Sequence, residues 1–435
     1  MYVTKPLSLY KRDPGALSEA PPAGPSSGYL VIFDEDAQTY SCFGLAKDNS
    51  ITDLPFPQNK NLTVNYSSDD EEDLFVPVLN QPLSSNRYYV IRRKGRHRGH
   101  FGPTNHEHHA VELSIPVLEE IMFIFTEHGR VRELQLCSAL HQASTSSKEE
   151  DMDTCLCCSF VQDVKPRPLD PSDAYQQVEI MKSSYGFQAK SIAVDGIPSG
   201  LLRRKGWTVH ARTPTDYHLH EALGSDDSLR AKLPDFNNFP LFNERSESVV
   251  VGKWYCPFMF VKERMRVKEQ MKKSVFYELT LEQRWEKIFS KEGEGGGENH
   301  GVFVDVVVQT EGAKVEGREA AWDDGGDDER VVWFKSVGGV ASDNSETLSI
   351  GLSLEIVNGM KWEQERVGWI GGNERKLRVE RVEEFGGGNR WRKFGCYVLV
   401  ESFLLKRMDR RPVLSDSLKL RSNSSYIQIQ SGSDI

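Results

Sequence analysis

Two stretches of the chain alternate strictly between apolar and other residues. Val302, Val304, Val306 and Val308 are separated by Phe303, Asp305, Val307 and Gln309. Leu348, Ile350, Leu352, Leu354 and Ile356 are separated by Ser349, Gly351, Ser353 and Glu355. A period of two is the signature of a β-strand with one buried face. Val331 to Val337, Met360 to Ile370, Lys376 to Phe385 and Phe394 to Leu405 extend the set. The last is apolar on both faces, which predicts a central strand. Between residues 262 and 290 the period changes. Thr280 and Gln283 have capping-box spacing, and Leu281, Trp285, Ile288 and Phe289 follow at i, i+4, i+7 and i+8, which predicts a helix packed on those strands. Lys262 to Lys273 is helix-prone as well.

Shorter apolar runs fill the first half. Tyr29 to Phe33 and Tyr40 to Leu45 read as a hairpin, and Leu62 to Tyr66, Leu74 to Leu79 and Arg87 to Ile91 have the spacing of an antiparallel sheet. The acidic run Asp69 to Asp73 between them reads as a loop. Cys155 to Val161 and Phe187 to Val194 read as strands, and Asp170-Pro171 and Thr213-Pro214 as the starts of two short helices, the second ending at Gly224. The fold class expected is mainly β with a few helices (α+β), built from antiparallel sheets. Its parts are a flexible leader at 1–27, a β-rich domain at 28–245, a sandwich-like β-rich domain at 246–411 with helices at about 262–290, and a tail at 412–435 without fixed structure. Residues 100–142 break the composition, because seven of the eleven histidines lie between His97 and His141. They read as an insert in the first domain.

Charge narrows the function classes. The 435 residues carry 54 basic and 64 acidic side chains, a net −10, with a mean hydropathy of −0.50. That balance argues against a surface built to neutralise nucleic-acid phosphates. The most apolar stretch, Ile115 to Phe125, is interrupted by Pro116, Glu119 and Glu120 and is too short to span a bilayer. The first residues lack the order of a secretory signal, and seven cysteines are too sparse and too odd for a disulfide scaffold. A cytoplasmic or nuclear location, not secretion, is expected.

Candidate chemistry is confined to clusters. Arg92, Arg93, Lys94, Arg96 and Arg98 crowd one turn and Arg203, Arg204 and Lys205 another, and these are the candidate contacts for an anion. Acidic neighbours such as Asp69 to Asp73 offer the competing explanation that the turns are balanced internally. Cys155, Cys157 and Cys158, with Cys137 or His141 as a fourth ligand, form the weak candidate for a metal, but their spacing is not that of a zinc knuckle. His106, His108 and His109 read as a solvated loop, and Trp362, Trp369 and Trp391 as core. No nucleophile elbow, P-loop, dinucleotide fingerprint or metalloprotease helix occurs, so no catalytic residue and no cofactor are assigned.

Longer strings carry a resemblance: MYVTKPLSLY at the start, GYLVIFDEDA, QPLSSNRYYVI at 81–91, LLRRKGW at 201–207, KSVFYELTLEQRWEKIF at 273–289, GLSLEIVNGMKWEQERVGWIGG at 351–372 and KFGCYVLVESFLLKRMD at 393–409. Over residues 1–99 and 144–410 the chain resembles a plant family catalogued as domain of unknown function 1262, also labelled after an insecticidal crystal toxin domain. The resemblance implies no activity, cofactor or site residue. The expected function is that of a non-enzymatic intracellular interaction or scaffold protein with a protein partner. A β-domain that binds a glycan, lipid or other anion is the alternative, and an unrecognised hydrolase ranks third.

Overall fold

The computed structural model describes residues 1–41, 46–67, 69–94, 142–148, 150, 152–155, 158–232, 243–293, 301–309, 312–323, 330–337, 348–367, 376–384, 391–419 and 425–431. The histidine-rich segment expected as an insert lies outside the described residues up to His141. So do Arg96, Arg98, Cys157 and Trp369.

The described chain is mainly β, with several antiparallel sheets and four α-helices, as the alternation predicts. Its largest element is a 13-stranded sheet. The spine is an antiparallel pair of 17-residue strands, Phe276–Glu292 and Trp391–Arg407. Trp391–Arg407 is central as expected, flanked on its other side by Pro412–Lys419 and Ser425–Ser431. From Phe276–Glu292 the sheet continues through Val249–Pro257 to Tyr2–Pro6 and Gly28–Ile32. On the other side it runs out to Ser349–Ser353 and ends at Val261–Glu263. Only the Tyr2–Pro6 and Gly28–Ile32 pair in this sheet is parallel, and its connection holds the helix Leu7–Arg12, since a parallel pair cannot be joined by a tight turn.

Seven expectations give way to tertiary context. The helix expected over 280–289 is strand, because Tyr277, Leu279, Leu281, Gln283 and Trp285 alternate into the interior between two partners. A bulge between Lys287 and Phe289 then produces the local helical spacing. Helix does form just before, at Val267–Lys273. The helix that packs on the second-half strands is instead Leu354–Glu365, read as strand from sequence. Its buried Ile356, Val357, Met360 and Glu363 have helical spacing, and the first three join a core with Val332, Phe334, Ile350 and Leu352. The acidic run 69–73 is strand, part of Asp69–Pro77. The leader is ordered, with Tyr2 and Val3 buried in the sheet, and Gly28–Ile32 pairs with it rather than with the run after Tyr40. The tail supplies two strands, because the long Trp391–Arg407 strand offers an open edge along its whole length. Residues 213–223 form no helix, and near Asp170 only the short 3-10 turn Ala174–Gln176 appears, capped by Asp173.

A seven-stranded antiparallel sheet contains Asn61–Tyr66, Asp69–Pro77, Arg87–Lys94 and Thr208–Arg212. One face buries Phe56, Phe75, Tyr88, Phe187 and Trp207 as an aromatic cluster, Phe75 lying edge-on to Phe56 at 5.0 Å and stacked on Trp207 at 6.2 Å. The other face puts Leu74, Val76, Tyr89 and Ile91 into the core of the 13-stranded sheet. A two-stranded ribbon, Gly301–Gln309 with Lys376–Glu384, lays Val302, Val304, Val308 and Val379 against the far end of the spine.

Polar groups tie the middle of the spine. Arg230 of the short helix Asp227–Lys232 sets Nε and Nη2 on the two oxygens of Glu401, each at 3.1 Å, and Gln283 Nε2 donates to the same carboxylate at 2.7 Å. Phe75→Ala should remove about 3–5 kcal/mol of stability in urea denaturation, because it empties the centre of the aromatic cluster. A loss near 1 kcal/mol would mean that this cluster is not the core of its sheet.

Candidate functional site

Strand Arg87–Lys94 ends at a bulge, where Asp73 faces Arg92 and Glu72 faces Lys94. Arg93 is the extra residue, and a bulge turns its side chain away from its neighbours. Arg92 pairs with Glu71 at 2.8 Å, whereas Arg93 pairs with Asp216 at 2.7 Å and lies 5.7 Å from the Tyr217 ring centre. In the second basic turn, Arg203 forms a forked pair with Asp163 at 2.9 and 2.8 Å, and Arg204 meets Asp69 at 3.1 Å and the Tyr66 ring. Lys205 is exposed. The fold brings the two turns together: a Cβ on Gly200 would stand 2.4 Å from Arg92 Nη2. All four guanidinium groups thus already hold a carboxylate. Two of those carboxylates, Glu71 and Asp69, come from the acidic run.

Backbone register sets Cys155 opposite Cys158 in a tight hairpin, with Cys157 outside the described residues. Among the described residues no group of three His, Cys, Asp or Glu is disposed to hold a metal ion. Trp362 lies on the Leu354–Glu365 helix rather than a strand, with the Arg366 guanidinium 5.6 Å from its ring centre.

A cleft of about 560 Å³ opens at the edge of the 13-stranded sheet. Strand Val261–Glu263 is too short to bury its own end, so Glu263 reaches inward and the chain turns through Arg264 and Met265 into the Val267–Lys273 helix. The Glu263 carboxylate accepts Nε of Arg407 at 3.0 Å and Nη2 at 2.6 Å, together with the Tyr277 hydroxyl. Gln270 Nε2 donates to the Tyr277 oxygen at 2.9 Å and to the Val261 carbonyl at 2.7 Å. Arg407 also holds Glu316 at 2.8 Å. Burial and the Glu263 charge push the Tyr277 phenol well above its usual value, so it stays protonated and donates. Hydrogen bonds to Glu263 raise Arg407 further above its usual range.

This network gives both oxygens of Glu263 a donor and forms the inner wall of the cleft. Val315, Leu348, Ile350 and Val413 add apolar lining. Ser349 also lines it, and its Oγ is buried without a hydrogen-bond partner among the described residues. At the rim stand Arg264 and Lys273, both exposed. Neither makes an ion pair with a described residue. Three cations therefore meet two carboxylates, and the two cations at the rim are uncommitted. Sequence reading missed this site because Glu263 and Arg407 are 144 positions apart and no local motif joins them.

The sequence model of a family described as "Protein of unknown function (DUF1262)" matches residues 23–115. The match begins within the stretch expected as a leader and runs past Gly99 into the stretch expected as an insert. No curated protein matches the chain. A solved structure described as the crystal structure of Cry35Ab1 aligns over 86% of this chain and 90% of its own, at 8% identity and a TM-score of 0.39. Among the described residues no helix is long and apolar enough to cross a membrane.

Glu263→Gln and Arg407→Met should each cost about 3–5 kcal/mol in chemical denaturation, because each strands a buried partner. The double variant should cost clearly less than the sum. Additive losses would mean that the pair is not coupled.

Proposed function

We propose that the protein works by binding, as a non-enzymatic intracellular interaction module, and that the cleft receives a small anionic group presented by its ligand. The observation that carries this reading is the division of labour among the charges. Arg407, Glu263, Tyr277 and Gln270 bond one another, while Arg264 and Lys273 at the mouth are exposed and make no close ion pair with a described residue. A wall of satisfied polar groups, an apolar lining and a few uncommitted charges are what a recognition pocket requires.

Calorimetric titration of the full chain with inorganic phosphate and with citrate tests the site. Binding should weaken at least tenfold, about 1.4 kcal/mol, in the Arg264→Ala/Lys273→Ala variant, and should fall steadily as salt is raised. Binding that ignores both changes, or no binding of either anion, would remove the cleft as the recognition site.

A further inference from the structure

The second carboxylate in reach of Arg92 is placed where no carboxylate gains from being charged. Asp73 is 3% exposed on the aromatic face of the seven-stranded sheet, with Leu62 opposite it on one neighbouring strand and Arg92 on the other. Neither of its oxygens accepts a hydrogen bond from a described residue. Arg92 Nε stands 3.9 Å from Oδ1, beyond hydrogen-bond reach, and is itself without a hydrogen-bond partner. The guanidinium is drawn to Glu71 instead, at 2.8 Å. Over it lies the turn Gly200–Arg203, with Gly200 at φ +55° and no room for a Cβ against Arg92. Arg92 and Glu71 are the charged groups packed against Asp73. Arg203, on the covering turn, is held by Asp163, and Arg204 by Asp69. Of the two carboxylates beside Arg92, only Glu71 is within hydrogen-bond distance of it.

We propose that Asp73, Arg92 and the Gly200 turn form a proton-operated latch. With Asp73 neutral, Arg92 rests on Glu71 and the turn closes over the guanidinium. With Asp73 charged, Arg92 is pulled between two carboxylates, water must enter to solvate the second, and the turn that carries Arg203, Arg204 and Lys205 loosens. The direction follows from burial, which pushes the Asp73 carboxyl from its ordinary 3.8 up to about 7, with Arg92 opposing and Glu71 adding to the rise. The folded protein therefore holds this proton more tightly than the unfolded chain. The stabilisation is complete below the ordinary value and is lost as pH rises through about 7, so acid closes the latch and alkali releases it.

Hydrogen exchange of the full chain, converted to protection factors at pH 5.5 and pH 8, reads the turn directly in peptides covering residues 196–207. Protection there should fall at least tenfold between the two pH values in the natural sequence. In Asp73→Asn, which mimics the neutral acid, it should stay high at both. Equal protection at both pH values in the natural sequence, or an equal fall in Asp73→Asn, would overturn the latch. Glu71→Gln provides the check that does not depend on Asp73→Asn folding. It frees Arg92 for Asp73, so the midpoint of the protection change should move to lower pH, and an unmoved midpoint would also overturn the proposal.

Discussion

The pairing of Phe276–Glu292 with Trp391–Arg407 is the constraint on which the rest of the architecture hangs. Each strand is several times longer than a single layer of core can cover, so different stations along it are buried by different partners. At one end Tyr277 stands opposite Arg407, and the two reach together to Glu263 at the cleft. In the middle Gln283 stands opposite Glu401, and both bind the network of Arg230 and the Leu354–Glu365 helix, whose Glu363 receives Ser225 and Arg366. At the far end Phe394 and Cys396 are sealed by the valine face of the ribbon. The polar stations fix register: a one-residue slip would send Arg407, Glu401 and Gln283 to the opposite face and strand the charges they answer.

The buried charge clusters at Glu263 and at Asp73 differ in how far they are satisfied, and this separates a structural from a responsive role. Around Glu263 every acceptor has a donor, and the donors are held by Gln270 and Glu316 in turn, so a change in protonation would only remove bonds. Around Asp73 neither carboxylate oxygen has a donor among the described residues, and the nearer approach of Arg92 goes to Glu71. A fully satisfied network specifies a single arrangement. One with an acceptor left unfilled beside a shared cation leaves room for a second arrangement, which a switch requires.

How much of this was legible in the sequence depends on how local the cause is. Val302 to Val308 and Phe394 to Leu405 were readable because their period is set by the faces they bury. Leu281, Trp285, Ile288 and Phe289 misled because a bulge imitates the helical period, and a bulge exists only relative to a partner strand. Ile356, Val357 and Met360 were hidden because the strand period of Ser349–Ser353 runs on into them. The basic turns were visible as clusters, but not their partners. Asp163 and Asp216 are distant in sequence, and the acidic run 69–73 looked like a solvated loop although its charges are what Arg92 and Arg204 bind. The cleft left no trace, since Glu263, Ser349 and Arg407 meet only after the sheet is assembled.

The strand that carries Asp73 also explains why any response there must appear in the covering turn. Asp69–Pro77 is hydrogen-bonded on both sides, to Asn61–Tyr66 and Arg87–Lys94. Its last residue, Pro77, accepts the Tyr2 hydroxyl at 2.9 Å, and Tyr2 is fully buried in the 13-stranded sheet against Gly28, where a Cβ would come within 2.7 Å of its ring. Moving this strand would disturb two sheets and the core between them. The Gly200 turn is pinned at its far end by Leu201 and Leu202, both buried, and by Arg203 and Arg204, whereas Gly200 itself is held by the Asp163 carboxylate, with Ser199 in contact with Ser144. A charge appearing on Asp73 therefore finds a rigid floor and, at Gly200, the more lightly tied end of its cover, and the least costly way to admit water is to lift that end.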